Sequence, residues 1–101
     1  MLALTMQPIR FTAQIRYWNP EKGSGLAVAD VPAQHVQAFG GLKQQRVRGT
    51  IDGSEFASSV MPAGGGRLAL SVSKTMMKAA GRRVGDDAEF EVTAIGRDSA
   101  G

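Results

Sequence analysis

The 101 residues carry 12 lysines and arginines against 9 acids, a formal charge of +3 that falls short of the dense basic stripes of dedicated nucleic-acid binders. With 43% apolar and 21% charged residues the composition is that of one globular domain, and the lack of any cysteine excludes disulfides, thiolate metal ligands and cysteine nucleophiles. The opening MLALTMQPIR has neither the basic start nor the long apolar core of a signal peptide, and no stretch approaches the roughly 18 apolar residues of a membrane span, so the cytoplasm is the expected compartment.

Residues 1–8 read as an N-terminal tail, 9–95 as a single β-barrel domain and 96–101 as a C-terminal tail. From Ile9 to Trp18 the chain alternates, with Phe11, Ala13, Ile15 and Tyr17 on one side and Arg10, Thr12, Gln14 and Arg16 on the other, which predicts a half-buried strand. Asn19 to Gly25 is turn chemistry, and a second strand follows from Leu26 to Val31. Pro32 opens a short helix whose apolar side is Val36 and Phe39, stopped by Gly40-Gly41. Arg46 to Ile51 and Glu55 to Val60 alternate on either side of Asp52-Gly53, a hairpin signature. Pro62 and Gly64-Gly65-Gly66 carry the next turn signals.

The clearest stretch comes next, from Arg67 to Asp87. Leu68, Leu70 and Val72 alternate in a strand; Ser73 is placed as an N-cap for a helix over Lys74 to Ala80, with Met76, Met77 and Ala80 facing inward. Gly81 ends it in the left-handed conformation. Gly85-Asp86 turns the chain into a last strand through Ala88, Phe90 and Val92. The count is about six strands and two short helices.

Sliding the chain on itself by 41 positions brings Gly25 onto Gly66, Val31 onto Val72, Ala38 onto Ala79 and Gly40 onto Gly81, with strand parity preserved. Two strand-helix-strand halves closing a small barrel about a pseudo-twofold axis would produce this agreement, and so would a coincidence of common turn signals.

Most candidate chemistry reduces to structure. Ser71, two residues before Ser73 and three before Lys74, has the Ser-x-x-Lys spacing of penicillin-recognising acyl enzymes, but the companion SDN and KTG motifs are missing. The triple glycine leads into a strand rather than the helix start that a phosphate loop requires. His35, the sole histidine, has no partner ligands in sequence, and neither a metal nor a cofactor is expected. Asp86 and Asp87 fall at a turn.

Lys74, Lys78 and Arg82 are spaced to share one helix face, with Arg83 and Arg67 nearby, and form the candidate contact for phosphates or other anions. Their alternative is the solvated face of an amphipathic helix. Tyr17 and Trp18, the aromatics suited to stacking on bases, belong to a different element, which argues against a single-strand groove beside the lysines.

Phe11-Thr12-Ala13, Val31-Pro32, Val47 to Gly53, Ser59 to Pro62, and Val72 to Asp86 with its Lys-x-x-x-Lys-Ala-x-Gly occur in an order that resembles the bacterial and archaeal family known as domain of unknown function nineteen-oh-five. The resemblance covers roughly Ile9 to Ile95. It implies a mainly β, double-split pseudobarrel, similar in plan to the swapped-hairpin barrels of AbrB-type and MazE-type regulators, which bind DNA as dimers; one chain here would supply both halves. This chain has Leu26 where many members have Trp and Met77 where they have a basic residue, which weakens any carry-over of anion binding. The expected function is a non-catalytic binding or interaction module for a partner not identified by the sequence, a protein or a nucleic acid; the alternatives are weak nucleic-acid or anion binding through the second helix and small-ligand binding in the barrel mouth.

Overall fold

The computed structural model describes residues 8–23 and 25–96, so the expected tails lie outside the described residues except for Pro8 and Gly96. Its strands are β1 (Ile9–Tyr17), β2 (Ala27–Val31), β3 (Gln45–Ile51), β4 (Ser54–Gly64), β5 (Arg67–Val72) and β6 (Asp87–Gly96), with one helix, α1 (Lys74–Ala80). Alternation decides which side chains go inside. Phe11 and Ile15 of β1, Val47 and Ile51 of β3, Leu68, Leu70 and Val72 of β5, and Ala88, Phe90 and Val92 of β6 are all buried in one cluster. No helix among the described residues is long and apolar enough to cross a membrane.

The strands close in the order β1-β2-β5-β4-β3-β6, every neighbour antiparallel. Closure works because two strands divide their partners. β1 faces β6 from Ile9 to Gln14 and β2 from Ile15 to Tyr17. β4 faces β3 from Ser54 to Val60 and β5 from Val60 to Gly64. At the first branch Ile15 donates its N–H to Asp86 O at 2.9 Å and accepts from Gly85 N–H at 2.8 Å. At the second, Ser58 Oγ donates to Ser71 O at 2.7 Å, satisfying a carbonyl just beyond the last β4–β5 pair.

These ladders are symmetric under exchange of the two halves of the chain. With β2 and β3 matched to β5 and β6 at the 41-residue offset, β1 matches β4 at an offset of 45 on both of its edges: Phe11 opposite Phe90 corresponds to Phe56 opposite Gly49, and Ile15 opposite Ala29 to Val60 opposite Leu70. Two independent ladders agreeing on one offset make the internal repeat a property of the fold. The β1–β2 connection simply holds four more residues than the β4–β5 one.

Each split is closed by the segment following β2 or β5. After β5, Ser73 caps α1, its Oγ accepting from Met76 N–H at 3.1 Å, and Met76 enters the core; Gly81 ends the helix at φ 69°. After β2, Pro32 offers no capping side chain, and the expected helix is instead two 3-10 turns, Ala33–His35 and Gln37–Phe39, which still bury Val36 and Phe39. Pro62 also departs from expectation. It lies within β4 rather than in a turn, and strand is possible there because β3 begins opposite Val60 and so has no pair for the residues beyond it. The turn itself is Gly65-Gly66, both at positive φ, a conformation glycine adopts without strain.

On the outside, Arg16 grips Asp30 with two hydrogen bonds, Nε to Oδ2 at 2.8 Å and Nη2 to Oδ1 at 2.9 Å. Val28, which faces Arg16 across the ladder, is wholly buried on this outer face, consistent with cover from the aliphatic stem of the arginine. Arg16 holds the Asp30 carboxyl below the ordinary aspartate range.

Gly49 has a strict steric role. A Cβ there would stand 1.9 Å from Glu91 O and 2.9 Å from Val92 Cα, both backbone atoms of the neighbouring strand. Gly49→Ala is expected to cost about 3 kcal/mol or more, the upper range for overpacking, because backbone cannot yield as a side chain can. Gly53→Ala, which meets no atom within 4 Å and suffers only its φ of 88°, is expected to cost roughly 1 kcal/mol. Urea unfolding of the two variants checks the order.

Candidate functional site

α1 sits at the barrel end where β1 and β5 finish and β2 begins. Its capped start follows directly from Val72, so Lys74 emerges beside the β1–β2 hairpin, while its C-terminal end is tied to the next hairpin by Ser54 Oγ donating to Ala79 O at 3.1 Å. Lys74 and Lys78, one turn apart, are exposed on the helix.

Between α1, the hairpin end and the link into β6 runs an open surface groove. One portion, about 490 Å³, is lined by Tyr17, Met77 and Val84 below Lys74, Lys78, Arg82 and Arg83. A second, about 340 Å³, shares Tyr17, Lys74, Met77 and Val84 and continues past Leu26 to Ser73. The floor is therefore aromatic and aliphatic, and four cations stand along the lining. Among the described residues no carboxylate lines either portion.

The expected ladder of Lys74, Lys78 and Arg82 is modified by Gly81, after which the chain turns away. Arg82 Nε donates to Asp52 Oδ2 at 2.5 Å, and Asp52 Oδ1 accepts from Glu89 N–H at 3.0 Å, so this arginine clamps the link after α1 to the β3–β4 turn. The hydrogen bond from Arg82, and then that from Glu89, hold the Asp52 carboxyl below the ordinary aspartate range. Lys74, Lys78 and Arg83 form no ion pair with any described residue. Arg67 stands apart: it begins β5, five residues before Val72, and its Nε donates to Gly64 O at 3.3 Å at the opposite end of the strand.

The separation expected between the aromatics and the lysines is overturned for Tyr17. Although it belongs to β1, it lines both portions of the groove with Lys74. Trp18 follows it, 38% exposed, its N–H donating to Leu26 O at 2.7 Å. No local signal connects positions 17 and 74; the connection is made by β1 and β5 both pairing with β2.

The pseudo-symmetry supplies an internal control. At the other barrel end the counterparts of Lys74, Lys78, Arg82 and Arg83 are Ala33, Gln37, Gly41 and Leu42, and Tyr17 corresponds to Pro62. Barrel closure is achieved there without a cation or an aromatic at these positions. The 41-residue repeat alone pairs the four cations with Ala33, Gln37, Gly41 and Leu42, whereas the pairing of Tyr17 with Pro62 needs the strand ladders.

Ser73 is committed to capping the helix, and Ser71 lies on a strand whose carbonyl accepts from Ser58, leaving the Ser-x-x-Lys spacing accounted for by secondary structure. Among the described residues no three side chains of His, Cys, Asp or Glu type converge as a metal site would require.

A family model described as domain of unknown function (DUF1905) matches residues 11–92, a span that touches all six strands and α1. No curated protein matches the chain.

Asp52→Asn preserves a residue tolerant of the turn's φ of 48° and keeps an oxygen for Glu89 N–H, but removes both the charge and the acceptor facing Arg82. Because the native carboxyl titrates below its unfolded value of about 3.9, its contribution is complete above that pH and is lost as pH falls through the folded value. The variant should unfold at lower urea than the wild type at pH 7, and the two midpoints should converge as pH falls through the folded value of the Asp52 carboxyl. Urea titrations across this range measure the convergence.

Proposed function

The chain belongs to the DUF1905 family, and from that premise we propose that it is a one-domain binding module, without catalytic activity, that holds a phosphate-bearing ligand in the groove beside α1. The observation carrying this reading is the asymmetry between barrel ends: four cations line the groove at one end, against two, Lys43 and Arg67, at the counterparts of the same lining positions at the other. Solvation of a helix face would account for Lys74 and Lys78. It does not account for Arg83, which lies beyond the helix and joins the same groove.

The lining also supports binding over reaction. Among the described residues it offers no histidine, cysteine or carboxylate for proton transfer or nucleophilic attack, and its described serine is the helix cap. The expectations of an anion contact on the helix and of a small ligand at the barrel mouth converge on this groove, since the barrel interior is filled by Phe39, Phe90, Ile15, Ile51 and their neighbours. The proposed setting is the cytoplasm of a bacterial or archaeal cell, the reducing compartment with which a sequence free of cysteine is compatible.

Fluorescence anisotropy with labelled duplex DNA and RNA over a salt series tests the proposal. Binding should weaken linearly in log salt concentration, and replacing Lys74, Lys78 and Arg83 together by Ala should reduce that slope by about 2 to 3 units. Absence of binding at low salt, or a triple variant that binds like the wild type, would sink it.

A further inference from the structure

The groove is more than a cluster of charges, because its floor is apolar and contains a tyrosine. Lys74, Lys78 and Arg83 suffice to hold a bare phosphate, yet such a ligand would leave Tyr17, Met77 and Val84 facing water, together with Leu26, 45% exposed. Tyr17, Leu26 and Val84 are also particular to this end, since their counterparts at the other are Pro62, Arg67 and Lys43; only Met77 has an apolar counterpart, Val36.

We infer that the groove binds a nucleotide, its base laid on Tyr17 and its phosphate held by Lys74, Lys78 and Arg83. The inference rests on the phosphate-binding reading of the same groove and adds the class of organic group attached to the phosphate. Two geometric facts select a flat ring, and a third observation selects the phosphate. Tyr17 lines both portions of the groove, so a ring lying there reaches the apolar floor and the lysine side chains at once. The groove is open to solvent along its length, which suits a group covered on one face and does not enclose an acyl chain. Three cations without ion partners among the described residues match the double charge of a phosphate better than a single carboxylate. Stacking a base on an aromatic side chain tolerates any base, so recognition would be of the nucleotide and its backbone rather than of sequence. The same chemistry is presented by a free nucleotide and by an unpaired stretch of a single strand.

Trp18, the only tryptophan, adjoins Tyr17 and gives an intrinsic fluorescence signal. Titrations at low salt would use thymidine 5′-monophosphate, ribose 5-phosphate, a hexadeoxythymidylate, and an abasic hexamer with the same sugar-phosphate backbone. Calorimetry provides the affinities if Trp18 emission is silent. The base-bearing ligands should bind about tenfold more tightly than their base-free counterparts, the size expected of one stacked base. Tyr17→Leu, which keeps an apolar floor, should abolish that preference, while Tyr17→Trp should retain it. A hexamer binding much more tightly than the monophosphate would identify a single strand as the source; equal affinities would identify the free nucleotide. Equal binding of base-bearing and base-free ligands would overturn the stacking inference and leave the phosphate reading intact, and so would a preference that survives in Tyr17→Leu. No binding of any phosphate ligand would remove both.

Discussion

Everything in this structure depends on two strands each dividing their length between two neighbours. A strand has one hydrogen-bonding edge on each side, and β1 and β4 use the first part of their length on one edge and the last part on the other. Six short strands can close because of it. The arrangement also opens a seam wherever a strand leaves one neighbour for another, and a seam exposes core side chains and backbone polar groups to water. Met76 from α1 and Phe39 from the 3-10 segment are what fill the interior beside those seams. The helices are consequences of the pairing scheme, and the groove is a consequence of where α1 has to lie.

The two seams have been filled with different chemistry. Ser73 gives α1 a capped, regular start that presents successive turns at a constant spacing, as required to set Lys74 above Lys78. The uncapped segment after Pro32 makes tighter turns and presents Gln37 and Ala38 to solvent. Both fillings bury about the same number of apolar anchors, so the difference between them is paid on the surface rather than in the core. This is the physical ground for looking at one barrel end and not the other.

Local order was legible from the residues themselves. The Ser73 cap, the Gly81 stop and the alternation of β5 and β6 depend on interactions within a few positions, and the elements they predict are found with boundaries within a few residues. The segment after Pro32 is a short helix as its residues predict, and its 3-10 form follows from the missing cap, a weaker signal than a present one. Pro62 was read as a turn because its tolerance depends on where β3 happens to start, which no neighbour of Pro62 encodes. The site divides the same way. Lys74 and Lys78 declare themselves by helical spacing, whereas Tyr17 reaches them only through β2, and the diversion of Arg82 to Asp52 is set by a hairpin thirty residues away.

The longer ladder of β1 is with β6, the first of the six strands with the last: six residue pairs, against three with β2. During synthesis the Ile9–Gln14 segment therefore emerges long before its partner exists, while the β3–β4 and β4–β5 hairpins can form as soon as their own residues appear. Contacts of such long sequence separation are entropically late, so the seam between β1 and β6 is the natural last step of assembly. Until it closes, the stacked pair Phe11 and Phe90 remains apart and the barrel is a curled sheet with two open rims. A nascent chain of this fold thus has a window of vulnerability whose length is set by translation speed, and whose end is the delivery of its final strand.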